Sequence, residues 1–396
     1  MPLSYIDLFA GCGGLSLGLY KAGWHGLFAI EKNADAFSTL KANLIDKKGH
    51  YSWPKWLKKE NIDIYEVIQS NSKDLSELCG KVALVVGGPP CQGFSMAGRR
   101  RADDARNNLF NAYLDFIRLT KPDTLLFENV YGFTIAFKND QGKKDDAYSK
   151  KIVDALKEEG YTIETRLIDM SEYGVPQKRK RFILVASKKI KPACFFELLH
   201  KNREAFLLSK KLNASIPIEE AIGDLLMKNG TEDCPDFAGY RSGKYGDITS
   251  TYQQLMREGV KGQVPNSHRF VQHRDKTVEM FKKMMAASSQ TKRFTPRSFD
   301  GLKKRSVTIV KAGSICPTIT SIPDDLVHYS EPRIPTVREV ARIQSFPDWY
   351  EFKGKYTTGG ERRKMEVPRY TQVANAVPPL FAEQVGLVLR EMIENV

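Results

Sequence analysis

The sequence predicts an α/β protein built on a doubly wound, mostly parallel sheet with a second, smaller domain. Three observations predict it. Short apolar runs alternate with helical patterns over the first half of the chain, a glycine-rich turn follows the first run, and the periodic texture lapses from about Lys188 before returning near the C-terminus.

Residues 5–9 (YIDLF) read as a short buried strand, and Gly11, Gly13 and Gly14 lead into a helical pattern through Leu15, Leu17, Leu19 and Tyr20. Residues 26–30 (GLFAI) read as the second strand. The charged, aromatic-containing stretch 46–66 has no clear period and reads as a surface excursion. Next come a strand at 82–86, a helix over about 109–120 stopped by Lys121-Pro122, and an apolar run at 124–127. A polar stretch at 138–146 precedes a helix at 147–158 that stops at Gly160, and strands at about 161–168 and 182–186 complete the alternation.

From Lys188 to Ser330 the chain is rich in Lys and Ser, with scattered aromatics and weak periodicity, and is expected to form the smaller domain. Regular pattern returns at 333–352. Residues 378–393 form an amphipathic helical pattern with proline at its start. The expected division is therefore 1–187, 188–330 and 331–396, with no internal repeat and no low-complexity tract.

Composition narrows the function classes. The 396 residues carry 61 Lys and Arg against 47 Asp and Glu, a formal charge of +14 that suits a polyanionic partner. No apolar run approaches the roughly 20 residues a membrane-spanning helix needs, and the N-terminus shows no signal-peptide pattern, so the protein is expected in the cytoplasm. Six cysteines lack Cys-x-x-Cys spacing, which speaks against a zinc site or a disulfide scaffold. No metal is expected.

In an open parallel sheet, ligands bind outside the carboxyl ends of the strands. Four predicted strand ends carry unusual residues: "DLFAGCGG" from Asp7 to Gly14, Glu31, "GGPPCQGFS" from Gly87 to Ser95, and Glu128-Asn129. Glycines after a strand admit a ligand close to the backbone, and an acid twenty residues past Gly11 can accept from ribose hydroxyls. That pair points to a nucleoside-containing cofactor, either a dinucleotide or S-adenosylmethionine. In the third loop Pro89 and Pro90 restrict the backbone that carries Cys91, a rigid presentation suited to a nucleophilic thiol. Gln177, Arg179 and Arg181 alternate along an extended segment and could supply cations to that thiol; a solvated basic run is the alternative. Glu128, at the end of an apolar strand, requires a partner or a task.

These residues closely resemble the DNA (cytosine-5) methyltransferase family. The matches run in the family's order: "DLFAGCGGLSLGL", "GGPPCQGFS", "NLF", "ENV", "QKRKR", "VREVARIQSFPD" and "QVANAVPP". They span the chain apart from 188–330, where that family keeps its variable target-recognition domain. The resemblance implies the methyltransferase version of the doubly wound fold. It also implies S-adenosylmethionine as cofactor and S-adenosylhomocysteine as product. Phe9, Gly11, Gly13, Gly14 and Glu31 would hold the cofactor, with Pro89, Leu109, Asn375 and Ala376 beside it. Where the family usually has Asp-Ile for the adenine, this chain has Asn71-Ser72 with Asp74 close behind, so either Asn71 or Asp74 would serve.

The same resemblance makes Cys91 the nucleophile toward carbon 6 of a flipped-out cytosine. Glu128 would contact the ring nitrogen and amino group, Arg181 would grip the ring carbonyl, and Arg179 would touch backbone phosphate. Implied partners are double-stranded DNA and a cognate restriction endonuclease acting on the same site, and the chain is expected to be a monomer. Base readers are expected within 188–330, with Arg293, Arg297 and Arg305 as candidates. An RNA cytosine methyltransferase and a catalytically silent DNA-binding regulator are the alternatives; a nicotinamide oxidoreductase would leave the Pro-Cys loop unexplained.

Overall fold

The computed structural model describes residues 3–90, 105–138, 144–359 and 366–395. The chain divides into two compact units. One comprises Met1–Asp169, Lys180–Glu204 and Phe381–Val396, the other Met170–Arg179 and Ala205–Leu380.

The first unit is organised by a six-stranded sheet of β1 (Ser4–Leu8), β2 (His25–Ile30), β3 (Leu84–Gly87), β4 (Thr124–Val130), β5 (Thr162–Asp169) and β6 (Lys180–Ser187). Its spatial order is β2-β1-β3-β4-β6-β5. The first four strands pair in parallel, and β6 runs antiparallel to both β4 and β5. The mostly parallel, doubly wound expectation is met. Central strands are apolar on both faces because helices cover both, so Tyr5, Ile6, Leu8, Leu84, Val85, Val86, Leu125 and Phe127 are all buried.

Helices α1 (Gly14–Lys21), α2 (Ala34–Leu40), α3 (Ile64–Ser70), α4 (Ser72–Glu77), α5 (Ala105–Thr120) and α6 (Tyr148–Glu158) connect or cover these strands. The C-terminal helix Pro379–Glu394 returns to the same unit and lies against α1 at backbone distance. A Cβ on Gly18 would come within 2.3 Å of the Ala382 Cβ, so only glycine permits this approach. Trp24 Nε1 donates to Gly386 O at 2.8 Å and fixes the same contact.

The stretch 46–66 corrects an expectation. It is not a surface excursion, because His50, Tyr51, Trp53 and Leu57 are buried. Tyr51 bridges to β2 opposite Gly26, whose missing side chain leaves room for the tyrosine ring. Burial here comes from single aromatics in irregular backbone, which produces no period for a sequence to display.

The second unit holds a three-stranded sheet of β9 (Lys292–Phe294), β10 (Val307–Ile309) and β11 (Leu326–Val327), and a short antiparallel pair, β7 (Thr231–Asp233) and β8 (Arg241–Gly243). A core of Phe281, Met284, Phe294, Leu302, Val307, Ile309, Val327 and Ile334 packs on the larger sheet. This division differs from boundaries at 188 and 330, since 331–380 clusters with the second unit. The reason lies in the motif around the helix Val337–Ile343. Arg342, fully buried, donates to Asp224 at 2.7 Å and to Asp348 at 2.8 Å, and Arg338 donates to Asn266 O at 2.8 Å. Buried guanidinium groups need such paired acceptors, and these come from 205–330 as well as from the motif itself.

Candidate functional site

Polar residues gather at the carboxyl ends of the parallel strands. After β1 the chain turns sharply: Phe9 has φ +57°, Gly11 +56° and Gly13 +86°, and Gly13 is the N-cap of α1. A Cβ added to Gly11 would meet nothing within 4 Å, so the turn faces open space. Glu31, one residue past β2, accepts from Gly11 N at 2.9 Å with one carboxylate oxygen and from Asn33 N at 2.7 Å with the other. The carboxylate therefore ties the glycine turn to the end of β2. Burial raises its pKa, and these backbone donors oppose the rise. Each oxygen retains a further lone pair for a ligand hydroxyl.

Beneath the turn, Asp7 is buried and accepts a short hydrogen bond from Ser16 Oγ. Ser16 Oγ also lies 2.6 Å from Tyr51 OH, and Tyr5 OH lies 2.7 Å from His50 Nε2. Burial pushes the Asp7 carboxyl up to about 7, with the Ser16 hydrogen bond opposing and the Glu31 charge adding to the rise.

At the end of β3 two glycines let neighbouring backbones close in. A Cβ on Gly87 would stand 1.9 Å from Leu8 O, and one on Gly88 2.3 Å from Glu128 O. The chain then enters Pro89-Pro90. Cys91, the expected nucleophile, lies outside the described residues.

Glu128 and Arg181 meet. In the antiparallel β4–β6 pair Val130 stands opposite Arg181, and Glu128, two residues before Val130, shares its face, so the two charged side chains are diagonal neighbours. Arg181 Nε lies 3.0 Å from Glu128 Oε1, with side chains 11% and 17% exposed. The pair is screened by the sheet yet open to a ligand on one side. Next to it, Asn129 is buried and donates from Nδ2 to Pro89 O at 3.2 Å. Sequence reasoning gave Asn129 no role; its position between an acid and an apolar residue at a strand end was the signal.

Asn71 and Asp74 stand together between α3 and α4, with Asn71 Nδ2 3.3 Å from Asp74 Oδ2, and both are half-buried. Leu109, on α5, is half-buried as well. Asn375 and Ala376 belong to the second unit, at the end of the helix Arg369–Asn375, where Asn375 is exposed.

Arg179 departs from expectation. It is 1% exposed, and its Nη2 donates to Ala374 O at 3.0 Å and Ala376 O at 3.1 Å. Gln344 Nε2 donates to the same Ala376 carbonyl at 2.5 Å, and Gln177 Nε2 donates to Gln344 Oε1. Arg179 thus holds the carbonyls that end a helix, and its burial keeps it from the surface that a DNA phosphate would reach. The alternation of 177, 179 and 181 is real, but Gln177 and Arg179 fall in one unit and Arg181 in the other. Among the described residues no group of three or more His, Cys, Asp or Glu could hold a metal ion, and no helix is long and apolar enough to cross a membrane.

Comparison with known proteins agrees with this arrangement. The family model for C-5 cytosine-specific DNA methylase matches residues 3–391. The Type II methyltransferase M.DdeI of Desulfomicrobium norvegicum is 30% identical over 415 residues, covering 100% of this chain and 90% of that protein. M1.HphI of Haemophilus parahaemolyticus, another Type II methyltransferase, is 28% identical, covering 100% of this chain and 88% of its own length. Among solved structures, a prophage-encoded DNA modification methyltransferase of E. coli shares the fold with a TM-score of 0.67 at 24% identity, each chain 99% covered. The S. pombe Dnmt2 methyltransferase shares it with a TM-score of 0.55 at 16% identity, again with 99% of each chain covered. With a matching family model that runs from β1 into the C-terminal helix, the chain belongs to the C-5 cytosine-specific DNA methylases.

Proposed function

We propose that the protein is a sequence-specific methyltransferase that uses S-adenosylmethionine and acts on a cytosine flipped out of duplex DNA, with Cys91 as nucleophile. The observation that carries the site assignment is the Glu128–Arg181 ion pair at the end of β4, beside the base of the Pro-Cys arm.

The cofactor assignment rests on the donor set at the first two strand ends. The open space at Gly11, the Glu31 carboxylate held at the end of β2 and the half-exposed Phe9 suit a nucleoside with vicinal hydroxyls. Asn71 or Asp74 would take the adenine amino group, and Leu109, Asn375 and Ala376 are the further candidates from the matching motifs. Bound S-adenosylmethionine supplies a methyl group activated by a sulfonium.

The chain's own residues solve the other half of the problem. Carbon 5 of cytosine is too weak a nucleophile to be methylated unaided. The Cys91 thiolate adds to carbon 6, forming a C–S bond and moving electron density to carbon 5. Glu128 supplies a proton or hydrogen bond at ring nitrogen 3, where negative charge develops, and Arg181 donates to the ring carbonyl while orienting Glu128. Loss of the carbon 5 proton then lets the C–S bond break and returns the thiolate. A stacked base is out of reach for this attack, so it must leave the helix at a cost of a few kcal/mol.

The second unit is the candidate base reader, and Arg293, Arg297 and Arg305 are exposed near its three-stranded sheet. The +14 charge supports phosphate contacts. Relatives named as Type II methyltransferases support a companion endonuclease with the same recognition site.

Labelled methyl transfer from S-adenosylmethionine to duplex DNA and to tRNA, with bisulfite sequencing of DNA from expressing cells, tests the proposal. Label at cytosine carbon 5 within one short DNA word is expected, and label in tRNA alone would overturn it. Arg181→Lys keeps the charge but loses the planar fork, and kcat is expected to fall about tenfold while DNA affinity changes little. An unchanged kcat would remove Arg181 from the site.

A further inference from the structure

The ENV segment carries a second residue whose geometry is set toward the nucleophile. Asn129 is 2% exposed and its amide is oriented from both ends: Oδ1 accepts from Val130 N at 2.9 Å, and Nδ2 donates to Pro89 O at 3.2 Å. With Oδ1 committed as acceptor, the group facing Pro89 is the donor. We propose that Asn129 is a positioning residue for Cys91, holding the peptide plane from which the nucleophile arm departs. The inference rests on Cys91 being the nucleophile.

Covalent geometry carries the effect two residues along. Fixing the direction of the Pro89 carbonyl fixes ψ of Pro89. Pro90 has φ locked by its ring and confines Pro89 to extended conformations, so little rotational freedom remains before Cys91. The other side of the arm's base is fixed by close backbone contact. Gly87 sits against Leu8 O and Gly88 against Glu128 O so tightly that neither site has room for a Cβ. The acid and the nucleophile's arm are thus referred to one strand end: Glu128 projects from it toward Arg181, and the next residue clamps Pro89. Near-attack geometry is unforgiving, since small misplacements cost large factors in rate.

The test uses the full-length protein and duplex DNA carrying 5-fluorocytosine at the target. Trapping rate constants are measured for wild type, Asn129→Ala and Asn129→Asp, alongside affinities for S-adenosylmethionine and for DNA. Both variants are expected to trap about 10- to 100-fold more slowly, with both affinities within about twofold of wild type. The aspartate variant adds a signature. Its protonated carboxyl can donate to Pro89 O and its carboxylate cannot, so its rate relative to Asn129→Ala at the same pH is expected to rise as pH falls. Wild-type rates in both variants would overturn the inference, as would loss of trapping together with both affinities, which assigns Asn129 to general stability. A wild-type protein that fails to trap at all would instead refute the role of Cys91, so the two failures are distinguishable.

Discussion

Replacing Cys91 by alanine is expected to abolish covalent trapping on 5-fluorocytosine DNA and to lower methyl transfer by at least about 10⁴-fold, while binding of S-adenosylmethionine and duplex DNA persists. The size follows from the chemistry assigned to the thiolate. Without addition at carbon 6, carbon 5 lacks the electron density to attack a methyl group, and neither Glu128 nor Arg181 can supply it; they only stabilise charge that the addition creates. A serine at the same position should do little better, since a hydroxyl yields far less anion at neutral pH than a thiol, itself only a few per cent thiolate.

The structure also excludes the nearest substitute. Cys12 lies in the glycine turn, at the same end of the sheet, but it is 1% exposed and burial pushes its thiol up, so it is neither accessible nor readily ionised. Cys316 is buried, and its thiol is pushed up in the same way. Retained methylation in Cys91→Ala would therefore mean that the reaction avoids a thiol adduct altogether.

Much of this site was legible in the sequence because an open parallel sheet collects its carboxyl ends on one rim. Once the strands ending at Leu8, Ile30, Gly87 and Val130 are found, the glycine turn, Glu31, the Pro-Pro arm and Glu128 must be neighbours. Arg181 was legible for a different reason: antiparallel β6 begins at that rim, so its second residue faces the last residue of β4.

What the sequence did not disclose depends on partners distant in the chain. Arg179 resembles any surface arginine until two carbonyls near residue 375 claim it, and Asn129 reads as a spacer until its amide is found on Pro89. The division of the chain was obscure for the same reason, because the arginines of the 337–348 motif are charged in sequence but interior in the fold, matched to Asp224 and Asp348. Polarity alone cannot tell a solvated charge from a paired one.

Asp7 is a further case, with a measurable consequence. Replacing it by asparagine is expected to stabilise the protein at pH 8.5 and to change stability little near pH 4. The native state raises this carboxyl from 3.8 to about 7, chiefly because burial disfavours the charged form. The folded state therefore holds a proton that the unfolded chain has released, and stability falls as pH rises through that window, levelling off above about 7. At about 1.4 kcal/mol per pH unit the full cost is about 4 kcal/mol. Asparagine keeps an oxygen to accept from Ser16 and never ionises, so the cost disappears. The groups facing Asp7, namely Ser16 and the more distant Tyr5, Tyr51 and Glu31, are common to both proteins and largely cancel in the difference. Urea unfolding of both proteins across pH 4–9 measures it directly. A stability difference that stays flat with pH, or grows as pH falls, would show that Asp7 ionises in the folded protein as it does in water. The carboxylate sits two residues before Phe9, so the destabilised group lies beneath the turn assigned to the cofactor. A protein that keeps such a charge there gives up stability at the element that must accept a ligand.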